Sequence, residues 1–184
     1  MRPTSELPIG GAQAGDRAAL EVVYRALHPQ VFAYLRSLLA LEDAEDAASD
    51  VFVAVARGLS DFQGSQEAFR SWVFTIAHHR AADLWRRDRR RKTHSVAPSD
   101  QALSQTGGDA EDDALEFVGT GSALDQISGL PAAQAEVVVL RIVADLSFAD
   151  VARILDKREE AVRALHFRAL RRLARNFAAR EVAS

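Results

Sequence analysis

The segment FRSWVFTIAHHRAADLWRRDRRRK, Phe69 to Lys92, holds two tryptophans, adjacent histidines, an aspartate and a dense basic run without a glycine or proline. Such a run predicts a helix. At about 100° per residue, Phe69, Val73, Ile76, Ala77 and Leu84 fall on one side, which is expected to face a core. Trp72, Thr75, His79, Asp83 and Arg86 fall together on a neighbouring side, with the basic run at the C-terminal end. Two functions compete for this helix: a metal centre on His78, His79 and Asp83, or a grip on nucleic acid. His78 and His79 point about 100° apart on a regular helix, so one metal cannot take both. A tryptophan among polar and basic groups suits stacking on unpaired bases, and arginines with Lys92 suit phosphates. The blander readings are a His79–Asp83 surface pair and a solvated basic helix end.

Around this helix the charge is segregated. Met1 to Phe69 carries 5 basic and 10 acidic residues, whereas Arg70 to Lys92 carries 8 basic and 2 acidic. Thr93 to Gly129 has seven acids and no lysine or arginine, and Leu130 to Ser184 has 10 basic against 7 acidic residues. The net charge of −3 therefore conceals two basic blocks separated by an acidic one, a pattern that favours a nucleic-acid partner. Cysteine is absent, which removes disulfides and thiolate metal sites. No apolar run is long enough to cross a bilayer. MRPTSELPIGGAQAGD does not read as a secretory leader, so a cytoplasmic location is expected.

Strand patterns are missing and helical ones recur. Asp16 is placed to cap a helix carrying Leu20, Val23, Tyr24 and Leu27. Pro29 is expected to open another, with Val31, Phe32, Leu35 and Leu38. A third runs from Glu42 to Leu59, broken by Gly58 and the DFQGSQ loop, and the helix from Phe69 completes a small bundle. The stretch SVAPSDQALSQTGGDAEDDALEFVGTGS reads as a flexible acidic linker. Beyond it, Pro131 opens a helix with Val138, Leu140 and Ile142. Ser147 is a candidate N-cap, with Asp150 three residues on, for a short helix from Phe148 to Leu155. The turn DKRE then leads to a long helix from about Glu160 to Phe177. That is helix-turn-helix organisation. Val162, Leu165, Ala169 and Leu173 are expected inside, leaving Arg163, Ala164, Phe167, Arg168 and Arg171 outside. The alternative is a helical hairpin that binds protein.

The expected architecture is all-α: two small helical domains, at 12–92 and 124–177, joined by an acidic linker at 93–123. A disordered N-terminus (1–11) and a tail (178–184) complete it. With these motifs in order, the chain resembles bacterial RNA polymerase sigma factors of the extracytoplasmic-function group. DAEDAASDVFVAV resembles the D-A-E-D helix of that family. FRSWVFTIAHHRAADLWRRDRRR resembles its F-R-x-W segment. LPAAQAEVVVLRIVADLSFADVARIL with AVRALHFRALRRL resembles its C-terminal module.

The resemblance implies a region 2-like four-helix bundle and a region 4-like helix-turn-helix. It implies that Asp43, Glu45, Asp46, Asp50 and Phe52 dock on the β′ clamp of core polymerase, with the β flap as a further contact. Asp61, Gln63, Trp72, Thr75, His79, Arg86 and Arg87 would engage the −10 element and help to open it. Arg158, Arg163, Ala164, Phe167, Arg168 and Arg171 would engage the −35 element. Promoter DNA and core polymerase are the implied partners, and an anti-sigma factor is a further one. No cofactor, metal or catalytic residue is implied. The sequence departs from the family pattern at His79, where asparagine is frequent, at Arg80, and at His166, where leucine is usual. It departs again at Asp156 to Arg158, where the turn usually carries glycine. A stand-alone helix-turn-helix regulator and a metal-dependent hydrolase remain the competing functions.

Overall fold

The computed structural model describes residues 6–93, 127 and 129–183, with side chains at 6–87, 127 and 129–176. The expected acidic linker lies almost wholly outside the described residues. Among these the secondary structure is helical, with no strand. The N-terminal unit comprises α1 (Ile9–Gln13), α2 (Arg17–Arg36), α3 (Leu41–Gly58) and α4 (Gln66–Thr93). The C-terminal unit comprises α5 (Ala132–Val138), α6 (Phe148–Ile154) and α7 (Glu159–Ala183).

The N-terminal segment departs from the expected disorder at residues 7–11. Leu7 is buried and its N–H donates to Gln66 Oε1 at 2.6 Å, so the chain is pinned to the start of α4. Gly15, at φ +82°, turns the backbone between α1 and α2, and Asp16 then caps α2 by accepting from the Ala18 N–H at 2.9 Å.

Pro29 does not start a new helix; it lies inside a continuous α2. Proline within a helix costs about 3 kcal/mol. Val23, Leu27, Val31 and Leu35 are each at most 3% exposed and share one face only if the helix runs through. Full burial of one such side chain is worth about 1.5–3 kcal/mol, so the four together outweigh the proline. Tyr24, expected on this stripe, lies off it and is 46% exposed.

α3 packs against both α2 and α4. Its inner face is Ala44, Ala47, Ala48, Val51 and Val55, mostly small residues that allow the helices to approach closely. Gly58 is required by one such approach. A Cβ there would stand 2.9 Å from the Trp72 ring. α4 buries Phe69, Val73 and Ala77 as its pattern predicts, with Ile76 and Leu84 partly covered. It also buries Arg70, Ser71, Phe74 and Ala81, which the one-sided pattern leaves unassigned. Part of this second face is covered by the C-terminal unit, which packs on α2 and α4.

In the C-terminal unit α5 continues into a π-helical turn, Val139–Val143, where the Ala144 N–H reaches Val139 O at 3.0 Å. The wider turn shifts the helical phase of its last residues. Val138 and Leu140 stay buried, whereas Ile142 is 57% exposed. Ser147 caps α6 as the sequence indicates: its Oγ accepts from the Asp150 N–H at 3.0 Å and donates to Asp150 Oδ2 at 2.5 Å. The turn to α7 needs one left-handed residue, and Asp156 supplies it at φ +49°. Aspartate tolerates that region better than most residues, so glycine is dispensable here. Val162 and Ala169 of α7 are fully buried, with Leu165 and Leu173 packed beside them. The helix continues through Ala183, so the expected boundary at 177 and tail from 178 give way to helix.

Candidate nucleic-acid interface

Three surfaces carry the residues singled out in the sequence. The first surrounds the start of α4. The loop before it is held by Gln13, whose Nε2 donates to Leu59 O at 3.1 Å and Phe62 O at 2.7 Å. Asp61 and Gln63 are exposed on this loop, and His79, Arg86 and Arg87 are exposed along α4.

Trp72 differs from the expected free stacking platform. Its ring is half-buried, with centroids 5.3 Å from Phe62 and 5.7 Å from Phe69, and its edge lies over Gly58. It therefore shapes the loop as much as it presents a surface. Thr75 is also half-buried, its hydroxyl donating to Ser71 O at 2.8 Å. Asp83 pairs with Arg86, which holds its carboxyl below the ordinary carboxylate range.

The more exposed tryptophan of this helix is Trp85, at 51%, a residue that the helical-face argument leaves without a role. The signal is present in the sequence: Trp85 falls about 120° from the centre of the apolar stripe. The two histidines part company as the helical spacing requires. His78 turns to Tyr34 and Glu136, whereas His79 faces outward. No group of three or more His, Asp or Glu side chains is arranged to hold a metal among the described residues.

The second surface is the outer face of α3. Asp43, Glu45 and Asp46 are exposed; Asp50 is exposed as well but pairs with Arg80 at 2.9 Å. Arg80, near the inward side on a helical wheel, thus leads its guanidinium back out to an acid of α3. Phe52 is half-buried in an aromatic cluster. Its ring lies 4.8 Å edge-on to Tyr24 and 5.7 Å from His28, and His28 in turn stacks with Phe32 at 6.1 Å. Burial lowers the His28 pKa, so its neutral form is favoured. With exposed Tyr24 and Val53, this makes an apolar patch beside the acids. Spacing across two helices hides the Tyr24–Phe52 pairing from the sequence.

The third surface is the helix-turn-helix. Arg158, Arg163, Ala164, Phe167, Arg168 and Arg171 all lie exposed, as the pattern of α7 predicts. Arg163 is already engaged, donating from Nε to Glu159 at 3.0 Å and lying 4.3 Å over the Phe148 ring. Phe167 is 60% exposed and, with Arg168, Arg171, Arg172, Arg175 and Gln134, lines a shallow cationic groove of about 250 Å³.

His166 stacks edge-on against Phe148 at 5.4 Å. Burial, helped by the Arg141 charge, lowers its pKa from the ordinary 6.5. The folded state therefore favours the neutral ring, and its contribution to stability is present above pH 6.5 and lost as pH falls through the lower folded value. His166→Leu is expected to lose less stability than the parent chain between pH 7.5 and pH 5.5 in thermal melts. An equal acid loss in both would contradict this.

No helix among the described residues is long and apolar enough to cross a membrane. Residues 23–91 match the Sigma-70 region 2 family, and residues 121–173 match Sigma-70, region 4. The ECF RNA polymerase sigma factor ShbA of Streptomyces griseus is 32% identical over 170 residues, covering 88% of this chain and 89% of ShbA. The ECF sigma factor BldN of Streptomyces coelicolor is 32% identical over 165 residues, covering 89% of this chain but only 62% of BldN.

Among solved structures, the sigma factor RpoE of Bartonella quintana, crystallised with the anti-sigma factor NepR, shares the fold. Its TM-score is 0.63 at 22% identity, covering 83% of this chain and 92% of RpoE. CnrH, solved in complex with the cytosolic domain of CnrY, gives a TM-score of 0.60 at 20% identity, covering 96% and 99%. Matched in both modules, and to ShbA along nearly its whole length, the chain belongs to the extracytoplasmic-function RNA polymerase sigma factors.

Proposed function

We propose that this sigma factor binds core polymerase through α3, reads and opens the −10 element with the loop–α4 surface, and holds the −35 element with α7. It acts by binding, and the polymerase performs the chemistry. The observation that carries this reading is the coexistence of three unlike surfaces on one chain. The outer face of α3 joins exposed acids to an apolar patch, as a basic, partly apolar protein partner would require. α4 joins an aromatic cluster and polar groups at its start to exposed arginines further along, the chemistry that holds an unpaired base and its backbone. α7 offers an arginine-rich face beyond a short turn, the element that enters a major groove.

The individual roles rest on exposure. Asp43, Glu45, Asp46 and the Phe52–Tyr24 patch meet the clamp, with Asp50 held in place by Arg80. Asp61, Gln63 and His79 face the melted strand over the Trp72 scaffold, with Thr75 at its margin and Arg86 and Arg87 on phosphates. Arg158, Ala164, Phe167, Arg168 and Arg171 face duplex DNA, with Arg163 more constrained by Glu159. An anti-sigma factor, of the kind bound to RpoE, is a further partner.

The test is in vitro transcription with sigma-free core polymerase and a genomic promoter pool, with start sites read by sequencing. Discrete starts with a shared pair of upstream elements are expected. Failure to bind core polymerase would reduce the chain to a stand-alone DNA-binding regulator.

A further inference from the structure

The C-terminal half of α7 carries more positive charge than the proposed promoter contacts use. A recognition helix presents its N-terminal residues to the bases, in a groove about 12 Å wide. Arg172 and Arg175 stand 13 and 16 residues beyond Glu159, roughly 20 and 24 Å along the axis and past that width. With Phe167, Arg168, Arg171 and Gln134 they line the cationic groove of about 250 Å³.

The groove has the chemistry of a site for an acidic peptide. Its four arginines pair with no carboxylate among the described residues, whereas Arg25, Arg80, Arg86, Arg153 and Arg163 each hold one. Like charges three and four residues apart on a helix repel, and an anion laid along them relieves that. Gln134, on the α5 side, has its Oε1 buried without a donor among the described residues. A DNA phosphate has no N–H to give it, whereas a peptide brings carboxylates and backbone N–H groups together. The exposed Phe167 ring adds an apolar contact.

The chain itself contains such a peptide. Asp109 to Glu116, DAEDDALE, holds five acids and no basic residue, with Leu115 inside it and Phe117 next to it as apolar groups. Glu116 stands 15 residues before Pro131, the residue that precedes α5, and that length reaches up to roughly 50 Å. Gln134, a wall of the groove, lies in the first turn of α5, so the acidic run has chain to spare. A segment of the same chain acts at an effective concentration on the order of millimolar. A dissociation constant of only about 0.1 mM then fills the groove about nine-tenths of the time. At micromolar protein the same segment of a second copy is about a thousandfold more dilute.

We propose that the arginine groove of α7 is a docking site for the chain's own acidic segment, Asp109 to Glu116. Phe167, Arg168 and Arg171 also face duplex DNA in the promoter-binding reading, and the functional consequence rests on that reading. The docked segment competes with DNA and holds down non-specific binding by the free chain.

The chain has no cysteine, so a nitroxide spin label goes only where a cysteine is introduced. With the label on Ala114→Cys in the full chain, the amide signals of Arg168, Arg171, Arg172 and Arg175 are expected to broaden. The broadening is expected to vanish at 1 M salt, where the screening length is about 3 Å. It is also expected to vanish in the neutral variant Asp109→Asn, Glu111→Gln, Asp112→Asn, Asp113→Asn, Glu116→Gln. Mixing labelled chain with isotope-enriched unlabelled chain reports contact between copies. Broadening in that mixture alone, or in neither sample, would overturn docking within the chain.

The neutral variant is expected to bind a non-promoter duplex about tenfold more tightly, the inverse of the fraction of time the groove stands free. Its changed net charge contributes too, so the gain is measured again with Arg172→Gln and Arg175→Gln present, where a smaller gain is expected. Equal gains beside observed broadening would uphold the docking and overturn the promoter-binding reading of this groove instead.

Discussion

Trp72→Ala is expected to destabilise the N-terminal unit by about 3 kcal/mol, near the low end for removing a large aromatic side chain because the ring is only half-buried. For a unit of this size that shifts the melting temperature by roughly 12–24 °C. The cause is local. The ring fills the space between Gly58, Phe62 and Phe69, and without it the Phe62 ring loses its support. Asp61 and Gln63 flank Phe62 on the loop, so promoter opening is expected to fall at temperatures where the variant remains folded. Permanganate reactivity of the melted strand would measure that, and Trp72→Phe, which keeps most of the packing, should recover both properties. A variant that melts within about 2 °C of the parent, less than the loss of even 1 kcal/mol would produce, while opening normally, would remove Trp72 from both roles.

Arg168→Ala is expected to weaken initiation that depends on the −35 element by about 5- to 150-fold, corresponding to a lost contact of roughly 1–3 kcal/mol. Titration of promoters altered one position at a time distinguishes the kind of contact. A base contact relaxes selectivity at one position, whereas a phosphate contact weakens all promoters alike and flattens the salt dependence. Arg163→Ala is expected to cost less, because Glu159 and the Phe148 ring already occupy that guanidinium. Equal losses for the two arginines would mean that this pre-engagement does not persist on DNA.

How far the sequence could be read depended on the range of the interaction concerned. Caps and turns are local, and Asp16, Ser147 and the turn at Asp156 to Arg158 stand where the residue types indicate. The outward face of α7 is dictated by helical period alone. Pro29 misleads because its cost is local whereas its compensation, the stripe from Val23 to Leu35, comes from tertiary burial. Angle alone puts Trp72 on a polar face, whereas the structure half-buries its ring against Phe62, Phe69 and Gly58. Its burial comes from Phe62 and Gly58, on other elements, which a wheel of one helix cannot contain. Arg70 and Phe74, with half-buried His78, form a second covered side of α4, made meaningful by Tyr34, Gln30, Glu136 and Ala144. Those partners are distant in sequence, and charge and periodicity in α4 carry no trace of them.

The π turn gives the C-terminal unit one residue more than a regular helix would hold between Val139 and Val143. Loss of a single codon there would let the helix rewind into a regular one with the residues before and after the turn still in phase, so the Ala144 carbonyl would keep its place beside Arg70. The faces of α4 and α7 proposed to meet DNA would keep their own sequences intact. The extra residue is therefore a place where the length of this chain can change without disturbing the surfaces proposed to read promoters.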